Sequence, residues 1–61
     1  MKATIYMVQE RETKGTFRYA EVDTNGDLVD QDKVKIGTLY LKKQGITGTA
    51  PERLIVTIEG D

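Results

Sequence analysis

Residues able to do chemistry in this chain are few, and their types narrow the chemistry available. The carboxylate pairs Glu10/Glu12 and Asp30/Asp32 have the composition of a general acid and base. Both fall in polar stretches between apolar runs, where no pocket is expected to push a carboxyl pKa away from its neighbour's. The 61 residues include no Cys, His, Ser or Trp. That excludes Ser-His-Asp nucleophiles, thiolate chemistry and the usual zinc ligand sets. No catalytic residue, cofactor site or metal ligand is assigned, and the expectation is a protein that is not an enzyme.

Asp23-Thr24-Asn25-Gly26-Asp27 opens like a calcium loop, with oxygen donors at relative positions 1, 3 and 5. The remainder departs from that pattern. The sixth position, which needs Gly, is Leu28, and the twelfth, which needs a bidentate Glu, is Val34. The segment reads instead as a turn, since Asn-Gly suits the two-residue type I′ form.

Arg18, Lys42, Lys43 and Arg53, interleaved with Phe17, Tyr19 and Tyr40, make up a second constellation. Basic and aromatic residues on one strand surface can stack single-stranded bases, which makes nucleic-acid binding the alternative function. Against it, Lys+Arg 9 and Asp+Glu 10 leave a net charge of −1, with an isoelectric point near 5.3. A dedicated nucleic-acid binder normally has a basic excess. The charges are nonetheless sorted along the chain. Glu21 to Asp32 is acidic without a base, and Lys33 to Arg53 is basic apart from Glu52. If the two groups occupy opposite ends, the surface is dipolar.

The elements that must position these residues follow from period-two alternation of β-branched and aromatic types. Strands are expected at Ala3–Glu10, Thr16–Asp23, Val34–Lys43 and Arg53–Glu59, with a short return strand or tuck at Leu28-Val29. Glu12-Thr13-Lys14-Gly15 is a tight turn in which Gly15 supplies a positive φ. Gly37 breaks the alternation of its strand, as at a bulge or a close backbone approach. Thr49-Ala50-Pro51-Glu52 has capping-box spacing with room for one helical turn, and reads equally as a plain turn. The chain is a single small all-β domain spanning residues 1–61, an antiparallel sheet of four main strands.

Apolar residues occupy both faces of three strands: Ile5/Met7 against Tyr6/Val8, Leu39/Leu41 against Tyr40, and Leu54/Val56/Ile58 against Ile55. A one-layer antiparallel sheet keeps one face polar. The sheet must therefore curl into a small barrel or pack against a second copy, and a barrel covers only one face. A domain this short, with no disulfide, draws only about 3–5 kcal/mol from its own core. A homodimer or an obligate protein partner is expected, through Tyr6, Val8, Tyr40 and Ile55, with Ile46 plugging one end. No apolar run has the length of a signal peptide or a membrane span, so a cytoplasmic protein without a membrane partner is expected.

Ile36-Gly37-Thr38-Leu39-Tyr40-Leu41-Lys42-Lys43, then Pro51 and Leu54-Ile55-Val56-Thr57-Ile58-Glu59, resembles a group of short bacterial and phage proteins, mostly uncharacterised. Their C-terminal half is a strand, a brief turn and a second strand, and Phe17-Arg18-Tyr19-Ala20-Glu21-Val22 is similar to their upstream strand. The likeness covers residues 16–59 and is a strand pattern without a chemical signature. It implies a microbial or viral accessory protein and carries over no activity and no site residue.

Overall fold

Alternating apolar residues on four segments assemble one antiparallel sheet in the computed structural model, which describes all residues, 1–61. The strands are β1 (Lys2–Glu12), β2 (Thr16–Val22), β3 (Thr38–Lys42) and β4 (Arg53–Glu59), in the order β3-β2-β1-β4. Cross-strand partners share a face. Ile5 lies opposite Val56 and Met7 opposite Leu54, while Phe17 faces Leu41 and Tyr19 faces Leu39. These side chains form the core face. Leu39 and Leu41 from one edge strand and Leu54, Val56 and Ile58 from the other all pack on the Ile5–Met7–Tyr19 cluster. Both edges can reach one cluster only because the sheet curls into a half-barrel.

The connection from β3 to β4 runs from one edge of the sheet to the other. It starts with a 3-10 turn at Lys43–Gly45 and ends where the Gln9 amide donates to the Glu52 carbonyl at 2.7 Å. Midway through the core, the Tyr19 hydroxyl donates to the Pro51 carbonyl at 2.6 Å. This bond ties the connection to a fully buried side chain. No helix forms at Thr49–Glu52; the single helical turn falls earlier, at Lys43. Ile46 is half-buried beside that turn, its amide donating to the Lys43 carbonyl, and it stands outside the set packed on the core cluster.

The turns depart from expectation in a consistent way: side chains organise them where backbone freedom was anticipated. Gly15 does not take a positive φ. The β1–β2 hairpin is closed by Thr13 and Thr16 instead, with the Thr16 amide donating to Thr13 Oγ1 at 3.1 Å and the Thr13 amide to the Thr16 carbonyl at 2.8 Å. A bulge at Glu10, between the pairs Gln9–Tyr19 and Arg11–Arg18, turns Arg11 onto the same face as Arg18. Asn25 has a negative φ, so the Asn-Gly turn is not type I′. Asp23 Oδ1 accepts the amides of Asn25 and Asp27, and Gly26 alone takes the left-handed conformation, at φ 89°. Leu28 makes a single bridge to Val22 rather than a strand.

The largest departure is at β3, which begins at Thr38 and not at Val34. Residues 35–37 are drawn out of the ladder by Glu21, whose side chain projects from β2 on the core face, directly opposite Met7. Its Oε1 accepts the amides of Lys35, Ile36 and Gly37 at 2.9, 2.7 and 3.1 Å, and its Oε2 accepts Lys35 at 3.1 Å. Successive amides converging on one anion form a nest. Gly37 closes it at φ 85°, a conformation that strains any residue with a Cβ.

Replacing Tyr19 by Phe removes the bond to Pro51 while leaving the ring in place. Chemical denaturation should find Tyr19→Phe about 1 kcal/mol less stable, with an unchanged denaturant slope.

Candidate interaction surface

The outward face of the sheet is built by the residues that alternate with the core. The pairing places Val22 opposite Tyr6 and Tyr6 opposite Ile55, and the bridge adds Leu28 beside Val22. Leu28, Val22, Tyr6 and Ile55 thus form one apolar row across the sheet, perpendicular to the strands. Val22 is buried beneath its neighbours, but Leu28 is 74%, Ile55 70% and Tyr6 38% exposed. The next row carries Thr38, Ala20, Val8 and Arg53. Tyr40, 58% exposed, lies one row further, opposite Arg18.

Four of the five residues expected at an interface, Tyr6, Val8, Tyr40 and Ile55, therefore share this face. Ile46 does not join them, because it sits in the β3–β4 connection. Sequence reasoning passed over Val22 and Leu28. The signal was present in the short apolar pair Leu28-Val29 after the turn, but only the bridge to Val22 puts Leu28 at the end of the row. A groove of about 340 Å³ runs along the same face, lined by Tyr6, Val8, Val22, Asn25, Arg53 and Ile55 among others.

The candidate basic residues stand on different elements. The Arg18 guanidinium lies 5.9 Å from the centroid of the Tyr40 ring. Its Nε is 3.2 Å from Glu10 Oε2, within ion-pair range but not aligned as a hydrogen bond. Lys43 pairs with Glu12 and lies 5.3 Å from the centroid of the Phe17 ring. Lys42 and Arg53 occupy opposite edge strands of the sheet. Arg18, Lys42 and Arg53 share the outward face near the hairpin end but stand on three different strands, and Lys43 lies against Phe17 instead. Of the carboxylates, Glu10 faces Arg18, Glu12 faces Lys43, and Asp30 lies 3.9 Å from Lys33.

The charges sort by end. The end carrying the β1–β2 hairpin and the start of β4 has six basic side chains against three acidic ones; the opposite end has three against seven. Lys33 and Lys35 fall at the acidic end, contrary to the block reading of the sequence, because the nest folds their loop back beside β2.

The nest also sets the one shifted carboxylate of this region. Burial pushes the Glu21 pKa up, but the amides of Ile36, Gly37 and Lys35 and the Lys35 charge pull it down, and the net result lies below the ordinary value of 4.5. Burial raises the Tyr19 phenol above its ordinary value. Neither group faces the outward surface.

No group of His, Cys, Asp or Glu is arranged to hold a metal ion, and no helix is long and apolar enough to cross a membrane. No protein-family model, no curated protein and no solved structure matches this chain.

A carboxylate favoured in the folded state stabilises it fully above its unfolded pKa, and that stabilisation is lost as pH falls through the lower, folded pKa. Glu21→Gln replaces one acceptor oxygen by an NH2 group that meets the Lys35 amide. It should lose about 1–3 kcal/mol at pH 7. The difference between wild type and variant should shrink on acidification below about pH 4.5, as read by urea titrations at each pH.

Proposed function

We propose that the protein is a non-enzymatic, cytoplasmic interaction module of microbial or viral origin that self-associates through the outward face of its sheet. The observation that carries this reading is the apolar row Leu28–Val22–Tyr6–Ile55, in which Leu28, Tyr6 and Ile55 are left exposed, with exposed Tyr40 two rows along the same face, on a domain of only 61 residues. Contiguous exposed apolar surface of this kind marks interfaces, and only five residues are buried within the chain itself. A second copy suits the face by charge. A two-fold axis lying in the interface and across the strands sets the acidic end of one copy over the basic end of the other.

Tyr40→Glu puts a carboxylate into this face at an exposed position, where the fold of the single chain does not depend on it. The variant should be folded by circular dichroism and show half the wild-type molar mass in size exclusion with light scattering. An unchanged mass would sink the reading. The rival reading, single-stranded nucleic-acid binding through Arg18, Lys42, Lys43 and Arg53, requires retention on an oligonucleotide resin at low salt that falls steeply as salt is added. The self-association reading predicts no retention, since Arg18 and Lys43 are already paired with acids.

A further inference from the structure

The sheet has two open edges, and they are not equivalent. β3 is five residues long, ends at Lys42 and is followed directly by Lys43, the basic guard typical of an edge that avoids pairing. β4 runs seven residues, Arg-Leu-Ile-Val-Thr-Ile-Glu, with no Pro, Lys or bulge between its terminal charges. β1 is its only neighbour in the sheet.

The hydrogen-bond phase of β4 is fixed by its two ends. Gln9 donates to Glu52 at one end, and Met1 and Gly60 exchange bonds at the other. Hydrogen-bonded pairs in an antiparallel ladder recur at every second residue. Leu54, Val56 and Ile58 therefore turn their backbone groups to β1, and Arg53, Ile55, Thr57 and Glu59 turn theirs to the open edge. None of the open-edge amides or carbonyls has a partner within the chain.

We propose that β4 pairs antiparallel with β4 of a second copy about a two-fold axis at Val56, joining two half-barrels into one continuous eight-stranded sheet. This goes beyond the preceding reading and rests on it only for the kind of partner, a second copy of this chain; the surface is different. The strand is self-complementary in this register. Arg53 lies opposite the partner's Glu59, and Glu59 opposite the partner's Arg53, so both ends of the ladder close on opposite charges. Ile55 and Thr57 exchange backbone bonds with the partner's Thr57 and Ile55. On the core face, Leu54 meets the partner's Ile58, and Val56 meets the partner's Val56. The backbone phase agrees, since every hydrogen-bonded pair in this register joins two residues that turn outward. Sliding either copy by two residues shortens the ladder and leaves Arg53 and Glu59 without each other. The strands run in opposite directions, so the acidic end of one copy also lies beside the basic end of the next.

Because the chain has no Cys, a single introduced thiol reports on the pairing directly. In this register the two Val56 Cα atoms form a non-hydrogen-bonded pair about 4.5 Å apart, within the span a disulfide bridges. Val56→Cys is expected to become a covalent dimer under mild oxidation, and to do so equally in the Tyr40→Glu background. Thr57→Pro removes an amide that faces only the open edge, so its sheet should stay native by circular dichroism while its molar mass halves. Arg53→Glu alone should weaken the dimer, and Arg53→Glu with Glu59→Arg should restore it. If Thr57→Pro fails to fold, the Val56→Cys cross-link decides. Absence of that cross-link in a protein that remains dimeric, with Tyr40→Glu dissociating it, overturns the edge pairing and leaves the face reading standing. A cross-link retained in Tyr40→Glu with the wild-type molar mass unchanged does the reverse. A wild type that is monomeric at every concentration overturns both.

Discussion

A buried carboxylate on the apolar face of a sheet is the constraint from which much of this fold follows. Glu21 stands opposite Met7 in a layer otherwise made of Ile, Leu, Val, Phe and Tyr. An ionised group there must be fully hydrogen-bonded or it destabilises the chain by several kcal/mol. The amides of Lys35, Ile36 and Gly37 meet that requirement. The Glu21 main chain holds the same region a second time, its carbonyl accepting Val29 and its amide donating to the Gly37 carbonyl. One residue thereby sets where the segment folding back beside β2 departs, after Val29, where it returns at Gly37, and where β3 begins. Ile36, carried in by the nest, packs against the core cluster.

The consequence is a core that is closed at one end but thin throughout. Full burial is confined to five residues, four of them apolar, and the half-barrel leaves Leu39, Leu41, Leu54, Val56 and Ile58 only half covered. The outward face adds Leu28, Ile55 and Tyr40 to the apolar surface facing solvent. Small domains lacking disulfides or metals commonly complete themselves by association. In the proposed self-association, the apolar row, the β4 edge and the end-to-end charge separation are the features that meet another copy of the chain.

Most of the architecture was legible in the residues, because period-two alternation of β-branched types is a strong strand signal. β4 was bounded correctly at Arg53–Glu59, and β1 and β2 to within a few residues. The interface candidates Tyr6, Val8, Tyr40 and Ile55 were legible for the same reason, since alternation assigns each to the face opposite the core. What stayed hidden were interactions between a side chain and a distant backbone. Val34 to Gly37 has the composition of a strand, and nothing local reveals that Glu21, fourteen residues before Lys35, captures its amides. The Asn25-Gly26 turn was misread because Asp23 offers the backbone an alternative acceptor. Ile46 is the one large apolar residue of its loop, which suggests a plug; it is half-buried but lies outside the set packed on the core cluster.

The central claim is that one chain does not complete its own core and that a second copy of the same sequence supplies the missing layer or edge. The most direct measurement is the molar mass of the unmodified protein by sedimentation equilibrium across a wide concentration range. The account predicts at least twice the 6.8 kDa chain mass, decaying toward the single-chain value only on strong dilution. A mass of 6.8 kDa at every concentration, with the sheet intact, would contradict it.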